Sequence, residues 1–454
     1  MTSIWWLRRD LRLSDNPALR AAMQTGEILP LFIIDPAFER SSPRRKNFLY
    51  AGLYALDADL KKRGSYLVLR AGKPLKVLRG IMQETGASNI FVEEDYTPYA
   101  RKRDAEISQE LPLQLFAGQT THHPEWVTKA DGSPYTVYTP YSKKWKPLLA
   151  EIHLLPAPER IPTRAGVGSD PLPNFTPQPL FPAGEEEAQR RLRQFADFSI
   201  HHYHEARNRM DLDGTSALSP YIRFGMVSLR QAVYAARQSN SQGAQTWLNE
   251  LIWREFYIQI LYRFPQVARS AFNPAFANIA WRNDVSEFEA WKQGNTGVPI
   301  VDAAMRQLKE TGWMHNRARM IVASFLVKDL LIDWRWGESW FMENLLDGDL
   351  AANNGGWQWT AGTGTDAAPY FRVFNPVLQS AKFDPDGRYI RQWIPELRGV
   401  DSKKIHAPWQ FDVCAAGYPA RPMVDRAIVK ERTLQAYKNS RLLYERNRHD
   451  ISSI

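Results

Sequence analysis

Cysteine is almost absent from this chain, because Cys414 is the one example among 454 residues. A single cysteine excludes an internal disulfide and any metal cluster built on cysteine, which fits a reducing cytosol. The sequence also lacks an apolar run of about 18 residues, so no membrane span is expected. The first residues lead directly into a strand-like run followed by Arg8, Arg9 and Asp10, which is not the pattern of a signal peptide. These features predict a cytoplasmic protein without a membrane partner.

The balance of charge is basic, with a net charge of +9. A basic surface favours a polyanionic partner, nucleic acid first and a membrane surface second, although many soluble proteins are mildly basic without one. The length is too great for one hydrophobic core, so two or three domains are expected.

Short apolar runs alternate with helical patterns over residues 1–147. Strands are predicted at 4–7, 28–34, 66–69, 89–92 and 113–116, and helices at 46–62, 74–85 and 100–110. This alternation predicts a doubly wound parallel sheet, in which ligands bind beyond the carboxyl ends of the strands. Asp35 and residues 93–95 follow such ends, where capping of the next helices is the alternative. No glycine-rich fingerprint follows the first strand, so a typical dinucleotide-binding half is not expected.

Proline separates this region from the rest of the chain. Eight prolines lie between Pro156 and Pro182, a density that excludes a regular helix or a central strand. Residues 148–182 are therefore predicted to form an extended interdomain linker. Residues 183–454 show helical periodicity in two apolar stripes. One runs from Val301 to Leu308 in a helix that starts at Pro299, and the other runs from Met320 to Leu331. The predicted fold class is α/β, with a doubly wound sheet domain joined by this linker to an all-α domain.

Tryptophan is concentrated in the second half, where twelve of the sixteen lie between Trp247 and Trp409. Residues 334–375 contain five of them together with Asp347, Asp349 and Asn353. A plain core does not need that mixture, because buried aspartate and asparagine require polar partners. From the residue types alone, a turn between helices with aromatic packing is an equal alternative to a ligand site.

Residues 348–376 resemble the flavin-binding signature of the DNA photolyase and cryptochrome family, with the sequence GDLAANNGGWQWTAGTGTDAAPYFRVFNP. Residues 298–338, WLNELIWREFY at 247–257 and WWLRRDLRLSDNPAL at 5–19 are similar to the same family in the same order. The resemblance covers nearly the whole chain, and it is greatest to class I photolyases, which repair cyclobutane pyrimidine dimers.

The resemblance implies that the helical domain binds FAD, which is active as the reduced anion. Arg319 and Asp347 are expected to form an ion pair beside the flavin ring, and Asn353 to lie nearest its N5 atom. A neutral amide there accepts the N5–H bond without adding charge beside an anionic flavin. The further implied contacts are Tyr203, Arg207, Thr215, Ser216, Ala217, Leu218, Ser219, Trp247, Glu250, Arg254, Asn316 and Asp349.

The run at 215–219 would supply hydroxyls and backbone N–H groups for the FAD pyrophosphate at the start of a helix. Without the resemblance, an ordinary Ser/Thr N-cap is the preferred interpretation.

Three tryptophans match the family's photoreduction relay. Trp357 is expected nearest the flavin, Trp334 in the middle and Trp281 at the surface. Packing is the alternative for side chains that bury so much area.

The resemblance also implies a lesion pocket, since a dimer must be flipped out of the duplex to reach a buried flavin. Trp253 and Trp359 are the expected aromatic walls, and Glu250, Asn316 and Met320 the polar and soft contacts. Six-four photolyases carry histidine at the positions of Asn316 and Met320, so a cyclobutane dimer is preferred as substrate.

The expected partner is UV-damaged DNA. Backbone phosphates need basic side chains near the pocket, although any such residue could be an ordinary surface charge. The predicted DNA contacts are Glu250, Trp253, Asn316, Arg317, Trp359 and Arg372, with Arg282 and Lys382 as further phosphate candidates.

The predicted enzyme is a photolyase that acts as a monomer without a metal. Excited reduced FAD donates an electron, the cyclobutane ring splits, and the electron returns. Asp35, Arg45 and residues 99–104 resemble deazaflavin-binding photolyases, so 8-hydroxy-deazaflavin is favoured over methenyltetrahydrofolate as the antenna. The alternative function is a cryptochrome-like blue-light photoreceptor. A third function, that of a light-independent flavin oxidoreductase, is disfavoured because the sequence shows no nicotinamide-binding site.

Overall fold

The structure is a computed structural model that describes residues 1–149 and 152–452. The chain divides into two compact units, one of Met1–His204 with Thr215–Arg263 and one of Glu205–Gly214 with Phe264–Ile454. The domain boundaries predicted at residues 147 and 182 both lie within the first unit and stay predictions. Residues 150 and 151 of the predicted linker lie outside the described residues.

A parallel five-stranded sheet with the order β3-β2-β1-β4-β5 organises the start of the first unit. Central strands such as β2 are buried along almost their whole length, as expected for a sheet covered on both faces. The predicted doubly wound sheet is confirmed. The elements are β1 (Thr2–Leu7), α1 (Pro17–Met23), β2 (Glu27–Ile34), α2 (Pro43–Lys61), β3 (Val68–Ala71), α3 (Pro74–Thr85), β4 (Asn89–Glu93), α4 (Pro98–Ser108) and β5 (Leu113–Phe116).

Helix α1 was not predicted, because seven residues are too few for a clear periodic signal. Its start is nevertheless encoded locally. The side chain of Asn16 accepts the backbone N–H of Leu19, and Pro17 occupies the first helical position.

The acids at the carboxyl ends of the strands have mainly structural partners. Asp35 accepts the backbone N–H of Ala37 and so caps a short 3₁₀ turn. Glu93 is fully buried and pairs with the equally buried Arg12, and burial raises its pKa to about 8. Glu93 therefore has a structural role at this edge of the sheet, as the partner of a buried arginine.

The rest of the first unit combines helices with irregular segments. Among its described residues, 152–182 contain no helix or strand beyond one isolated bridge between Thr163 and Ile28, as the proline density predicts. The helices are α5 (Tyr138–Trp145), α6 (Glu185–Asp197), α7 (Tyr203–Ala206, which continues into the second unit), α8 (Ser219–Arg223), α9 (Leu229–Arg237) and α10 (Gln242–Arg263).

The second unit packs helices around one large apolar cluster that includes Trp291, Trp334 and Trp357. The predicted all-α character of this region is confirmed. Its helices are α11 (Val285–Gln293), α12 (Pro299–Thr311), α13 (Asn316–Ser324), α14 (Trp334–Asn344), α15 (Leu350–Ala361), α16 (Pro376–Phe383), α17 (Arg388–Trp393) and α18 (Arg426–Ser452).

The apolar stripe at 320–331 predicts one regular helix, and this prediction was wrong at its end. Helix α13 passes into a π-helical turn at Phe325–Asp329, and Leu331 then has a φ of 54°. The wider turn buries Lys328, whose Nζ donates to the carbonyl of Ala361 at 2.9 Å. A buried lysine with a fixed backbone partner is incompatible with a simple apolar stripe. None of the described helices is long and apolar enough to cross a membrane.

Candidate functional site

Four of the predicted site residues of the first unit lie on α10. This helix carries Trp247, Glu250, Trp253 and Arg254, which are spaced so that residues three or four apart share a face. Trp247 is buried and packs on Phe195 with ring centroids 4.8 Å apart, whereas the other three are half-buried. The helix thus carries an acid, an indole and a guanidinium group, all half-buried, within two turns of the buried Trp247.

Trp253 is held by a second aromatic ring. Tyr138 stacks on it with centroids 3.8 Å apart and ring planes 4° from parallel. Phe256 meets the same indole edge-on, at 85° and 5.6 Å. An aromatic wall for a nucleobase needs a fixed ring face, and these contacts supply one.

The predicted pyrophosphate-binding run, 215–219, bends sharply before α8. Ala217 has a φ of 47°, in the left-handed region that non-glycine residues rarely occupy. Leu218 is buried, and the hydroxyl-bearing residues on either side are half-buried. Helix α8 has only five residues, so its dipole contributes less to anion binding than a long helix would. Any anion bound here depends mainly on local hydroxyl and N–H groups.

Residues 350–361 form helix α15, and residues 345–349 connect it to α14 through a turn that contains Asp347. A turn between helices is therefore present in this stretch, and the ligand site stays a prediction. Oδ1 of Asp349 accepts the backbone N–H groups of Ala351 and Ala352, which starts α15. The helix then continues through both glycines at 355 and 356. Asn353 and Trp357 are four residues apart and therefore lie on the same side of it.

Arg319 and Asp347 form the predicted ion pair, with Nη2 of Arg319 2.8 Å from Oδ2 of Asp347. The Asp347 side chain is only 3% exposed. Its other oxygen, Oδ1, is buried and has no hydrogen-bond partner among the described residues. A buried acceptor of this kind requires a donor. A hydroxyl or ring N–H of FAD would meet that need, so this part of the site fits the predicted cofactor.

The Asn353 amide is oriented by Glu338 on the neighbouring helix α14. Nδ2 of Asn353 donates to the Glu338 carbonyl at 3.0 Å and to its Oε1 at 2.9 Å. A backbone carbonyl can only accept, so the amide nitrogen must face Glu338 and Oδ1 must face away. The amide is thus set as an acceptor, which is the role predicted for it beside N5. Burial raises the pKa of Glu338.

Close packing of α14 on α15 holds Glu338 and Asn353 within hydrogen-bond distance of each other. A side chain at Gly337 would overlap the indole of Trp357. The helices can therefore approach closely only because position 337 is glycine.

The three tryptophans of the predicted relay belong to one aromatic region. Trp334 and Trp357 are buried within the apolar cluster of the second unit, and the half-buried Trp281 packs against it. Trp357 also contacts Phe341 and Trp291, with centroids 5.0 and 6.2 Å apart. The burial of these tryptophans fits an electron relay and simple aromatic packing equally well, so the relay stays a prediction.

The two α13 residues that are predicted to contact the lesion differ in exposure. Asn316 is exposed at the start of the helix, and Met320 is half-buried. Trp359, on α15, is also half-buried.

The predicted FAD contacts are divided between the two units. The first unit holds Tyr203, residues 215–219 and the contacts on α10, and the second holds Arg207, Asn316, Arg319, Asp347, Asp349 and Asn353.

The basic side chains predicted to contact DNA are not equally available. Arg317 donates to Oδ1 of Asn208 and lies over the ring of Phe383, and Arg282 forms two hydrogen bonds to Glu287. Arg372 and Lys382 are exposed. A guanidinium group held by an internal partner is less available to phosphate than an exposed one, so Arg372 and Lys382 are favoured.

The residues predicted for the antenna partly come together. The Tyr99 hydroxyl donates to Asp35, and Arg103 lies over the Tyr99 ring. Burial and this hydrogen bond raise the pKa of Tyr99 to about 12. Arg45 is instead buried, with its Nε donating to Ser41 at 3.2 Å.

Sequence reasoning missed Tyr138, Glu338 and Trp291. Each acts through a residue that the motifs identify, and no local pattern marks a side chain whose partner is far away in sequence. The sequence at 362–367 fits G-x-G-x-x-A, but it follows helix α15 and not a strand, so it lacks the context of a dinucleotide fingerprint.

Comparison with known proteins adds independent information. The family described as "DNA photolyase" matches residues 3–161, and the family described as "FAD binding domain of DNA photolyase" matches residues 247–439. A relative from Salmonella typhimurium named deoxyribodipyrimidine photo-lyase is 41% identical, over 97% of this chain and 99% of its own.

Two solved structures are similar in fold. A bacterial class III photolyase from Agrobacterium tumefaciens has a TM-score of 0.91 and 36% identity, covering 97% of this chain and 98% of its own. A cryptochrome from Synechocystis has a TM-score of 0.86 and 30% identity, covering 96% and 99%.

Proposed function

The chain belongs to the DNA photolyase family, and from this premise we propose that it uses light to split cyclobutane pyrimidine dimers in DNA. It is a lyase and a flavoprotein. The observation that carries this function is the 41% identity to a deoxyribodipyrimidine photo-lyase over almost the full length of both chains. Membership of class I, a monomeric state and a cytoplasmic location belong to the same proposal.

FAD, when bound in its reduced anionic form, supplies the electron that light transfers to the dimer and that returns after the ring splits. The chain binds and orients it. The Arg319–Asp347 pair would hold a cation beside the flavin ring, and Oδ1 of Asp347, unpartnered in the part of the chain that the structure describes, would accept a donor of the cofactor. Asn353 presents Oδ1 as a neutral acceptor, which stabilises the N5–H of a reduced ring without adding negative charge.

The residues proposed to contact the lesion are those that the family resemblance implies. Trp253 and Trp359 provide flat apolar faces, while Glu250, Asn316 and Met320 provide the polar and soft contacts. Extruding the dimer costs less than extruding a normal pair, because a damaged base is already poorly stacked. No side chain has to transfer a proton, so positioning and electrostatics are the contribution of the protein.

Binding to the DNA backbone is supported by the net charge of +9 and by the exposed Arg372 and Lys382. Such contacts add affinity without sequence preference, and they weaken as salt rises. A dimer-selective enzyme needs this combination, since a lesion can lie in any sequence.

Two accessory roles complete the proposal. Trp357, Trp334 and Trp281 would carry electrons to oxidised FAD, and their location in one aromatic region supports such a relay. An antenna chromophore, 8-hydroxy-deazaflavin in preference to methenyltetrahydrofolate, binds beside Asp35 and Tyr99, where Arg103 adds positive charge.

A cryptochrome-like photoreceptor is the second candidate, because the Synechocystis cryptochrome shares this fold at 30% identity. Repair is favoured by the presence of Glu250, Trp253 and Asn316 together in the chain.

One experiment tests the proposal. The purified protein, reconstituted with FAD and chemically reduced, is mixed with an oligonucleotide containing a thymine dimer and divided into illuminated and dark samples. Recovery of normal thymine absorbance in the light alone is expected. A colourless protein after reconstitution, or equal yields in light and dark, would contradict the proposed function. The absorption spectrum of the protein as purified reports the antenna.

A further inference from the structure

We infer that Tyr138 is a positioning residue for the lesion pocket, which holds the indole of Trp253 so that one defined face is left for a base. The inference rests on the proposed function, because that function assigns Trp253 to the pocket. It concerns a residue outside the four sequence motifs quoted above.

The stacking geometry is the first observation. The rings of Tyr138 and Trp253 are almost parallel, at 4°, with centroids only 3.8 Å apart. Tyr138 therefore covers one face of the indole. Phe256 and Tyr257 also contact Trp253, but at 85° and 37°, so neither lies parallel to it. A base that stacks on Trp253 must use the face opposite Tyr138.

The second observation is that Tyr138 is attached to the helix that carries Trp253. Its hydroxyl donates to the backbone carbonyl of Asn249 at 2.8 Å. Asn249 lies one turn before Trp253 on α10, and in an α-helix its carbonyl also accepts the N–H of residue 253. The tyrosine is thus fixed at its ring and at its hydroxyl to one turn of one helix.

The stack is favourable in itself, because it buries apolar area of both rings. The start of α5 at Tyr138 places the ring against the indole, and the hydroxyl bond adds a second contact to the same helix.

The consequence for binding is pre-organisation. Both rings are half-buried, so neither is immobilised by complete burial. A tryptophan that had to be ordered when the dimer entered would lower affinity by about two- to tenfold, the typical effect of immobilising one side chain. Tyr138 removes that cost for Trp253 before the dimer arrives.

The test compares three variants of the FAD-loaded protein. Tyr138→Leu removes the stacked ring, and Tyr138→Phe keeps the ring and removes the hydroxyl. Tyr141→Leu is the matched control, because Tyr141 is a buried tyrosine on the same helix that packs on Phe256. Dissociation constants are measured in the dark for one oligonucleotide with and without a thymine dimer, together with FAD content and melting temperature.

Tyr138→Leu is expected to weaken dimer binding about three- to tenfold, with FAD retained and with less than about a twofold change for undamaged DNA. Tyr138→Phe is expected to stay within about twofold of the wild type, since the ring alone covers the indole face. A simple loss of stability would not produce this selectivity or the rescue by phenylalanine.

Wild-type dimer affinity in Tyr138→Leu, equal weakening for both oligonucleotides, or the same selective loss in Tyr141→Leu would each overturn the inference. If Tyr138→Leu does not retain FAD, Tyr138→Met takes its place with the same two readings. Light-driven repair by the wild type is measured in parallel. Its failure would refute the proposed function and this inference together, whereas normal repair with unchanged variants would refute the inference alone.

Discussion

Replacing Glu338 with leucine is expected to release the Asn353 amide and to make the midpoint potential of bound FAD more negative. In the wild type both hydrogen bonds of Asn353 Nδ2 go to Glu338, one to its carbonyl and one to Oε1. The leucine variant keeps the carbonyl and loses Oε1. The amide can then turn, and its NH₂ group would face the flavin in part of the molecules. An NH₂ group stabilises the oxidised N5, which is an acceptor, at the expense of the reduced N5–H.

The size of the effect follows from the lost hydrogen bond. Such a bond contributes about 1 kcal/mol when neutral and up to about 3 kcal/mol when charged. For an order-of-magnitude estimate we take a value near the lower end. A bias of about 1.4 kcal/mol is a tenfold change in the ratio of the two orientations. If the whole bias appeared in one electron transfer, the potential would fall by about 60 mV.

The assay is a spectroelectrochemical titration of the FAD-loaded protein. Glu338→Gln is the matched control, because glutamine keeps an Oε1 acceptor of the same reach and should stay close to the wild-type potential. A leucine variant that retains FAD and titrates like the wild type would refute the argument that Glu338 orients Asn353. An equal shift in both variants would assign the effect to the charge of Glu338 and not to its acceptor.

Four further outcomes are expected. Asn353→Asp should shift the accessible redox state of the flavin and impair repair, and unchanged spectra and repair would contradict its assignment beside N5. Trp357→Phe should abolish photoreduction of oxidised FAD while chemically reduced protein still repairs, so normal photoreduction would count against the relay. Glu250→Ala should lower repair yield and dimer affinity with FAD retained, and unchanged affinity in a binding titration would remove Glu250 from the pocket. Burial raises the pKa of Glu255 to about 7, so the folded state holds the proton of Glu255 more tightly than the unfolded state. The free energy of unfolding should therefore fall by at most about 3 kcal/mol as pH rises from about 4.5 to 7. Urea unfolding of Glu255→Gln across this range should lack that decline, and equal declines in both proteins would exclude Glu255 as its source.

Local patterns were sufficient for most of the fold. The buried strands, the start of α12 at Pro299 and the proline-rich connection were predicted correctly, because each depends on neighbours within a few residues along the chain. The π-helical turn at 325–329 was missed, since the burial of Lys328 depends on carbonyls supplied from Ala361 and Tyr370. Periodicity alone cannot report such partners.

The sequence by itself determined the family, the sheet-then-helix order of the chain and the residues that the motifs carry, among them Asp347 and Asn353. Only the tertiary structure decided how those residues are oriented. Glu338 fixes the amide of Asn353, and Tyr138 covers one face of Trp253. The physical reason is that a hydrogen bond or a stacked ring acts over a few ångströms in space, whereas a sequence pattern records only separation along the chain.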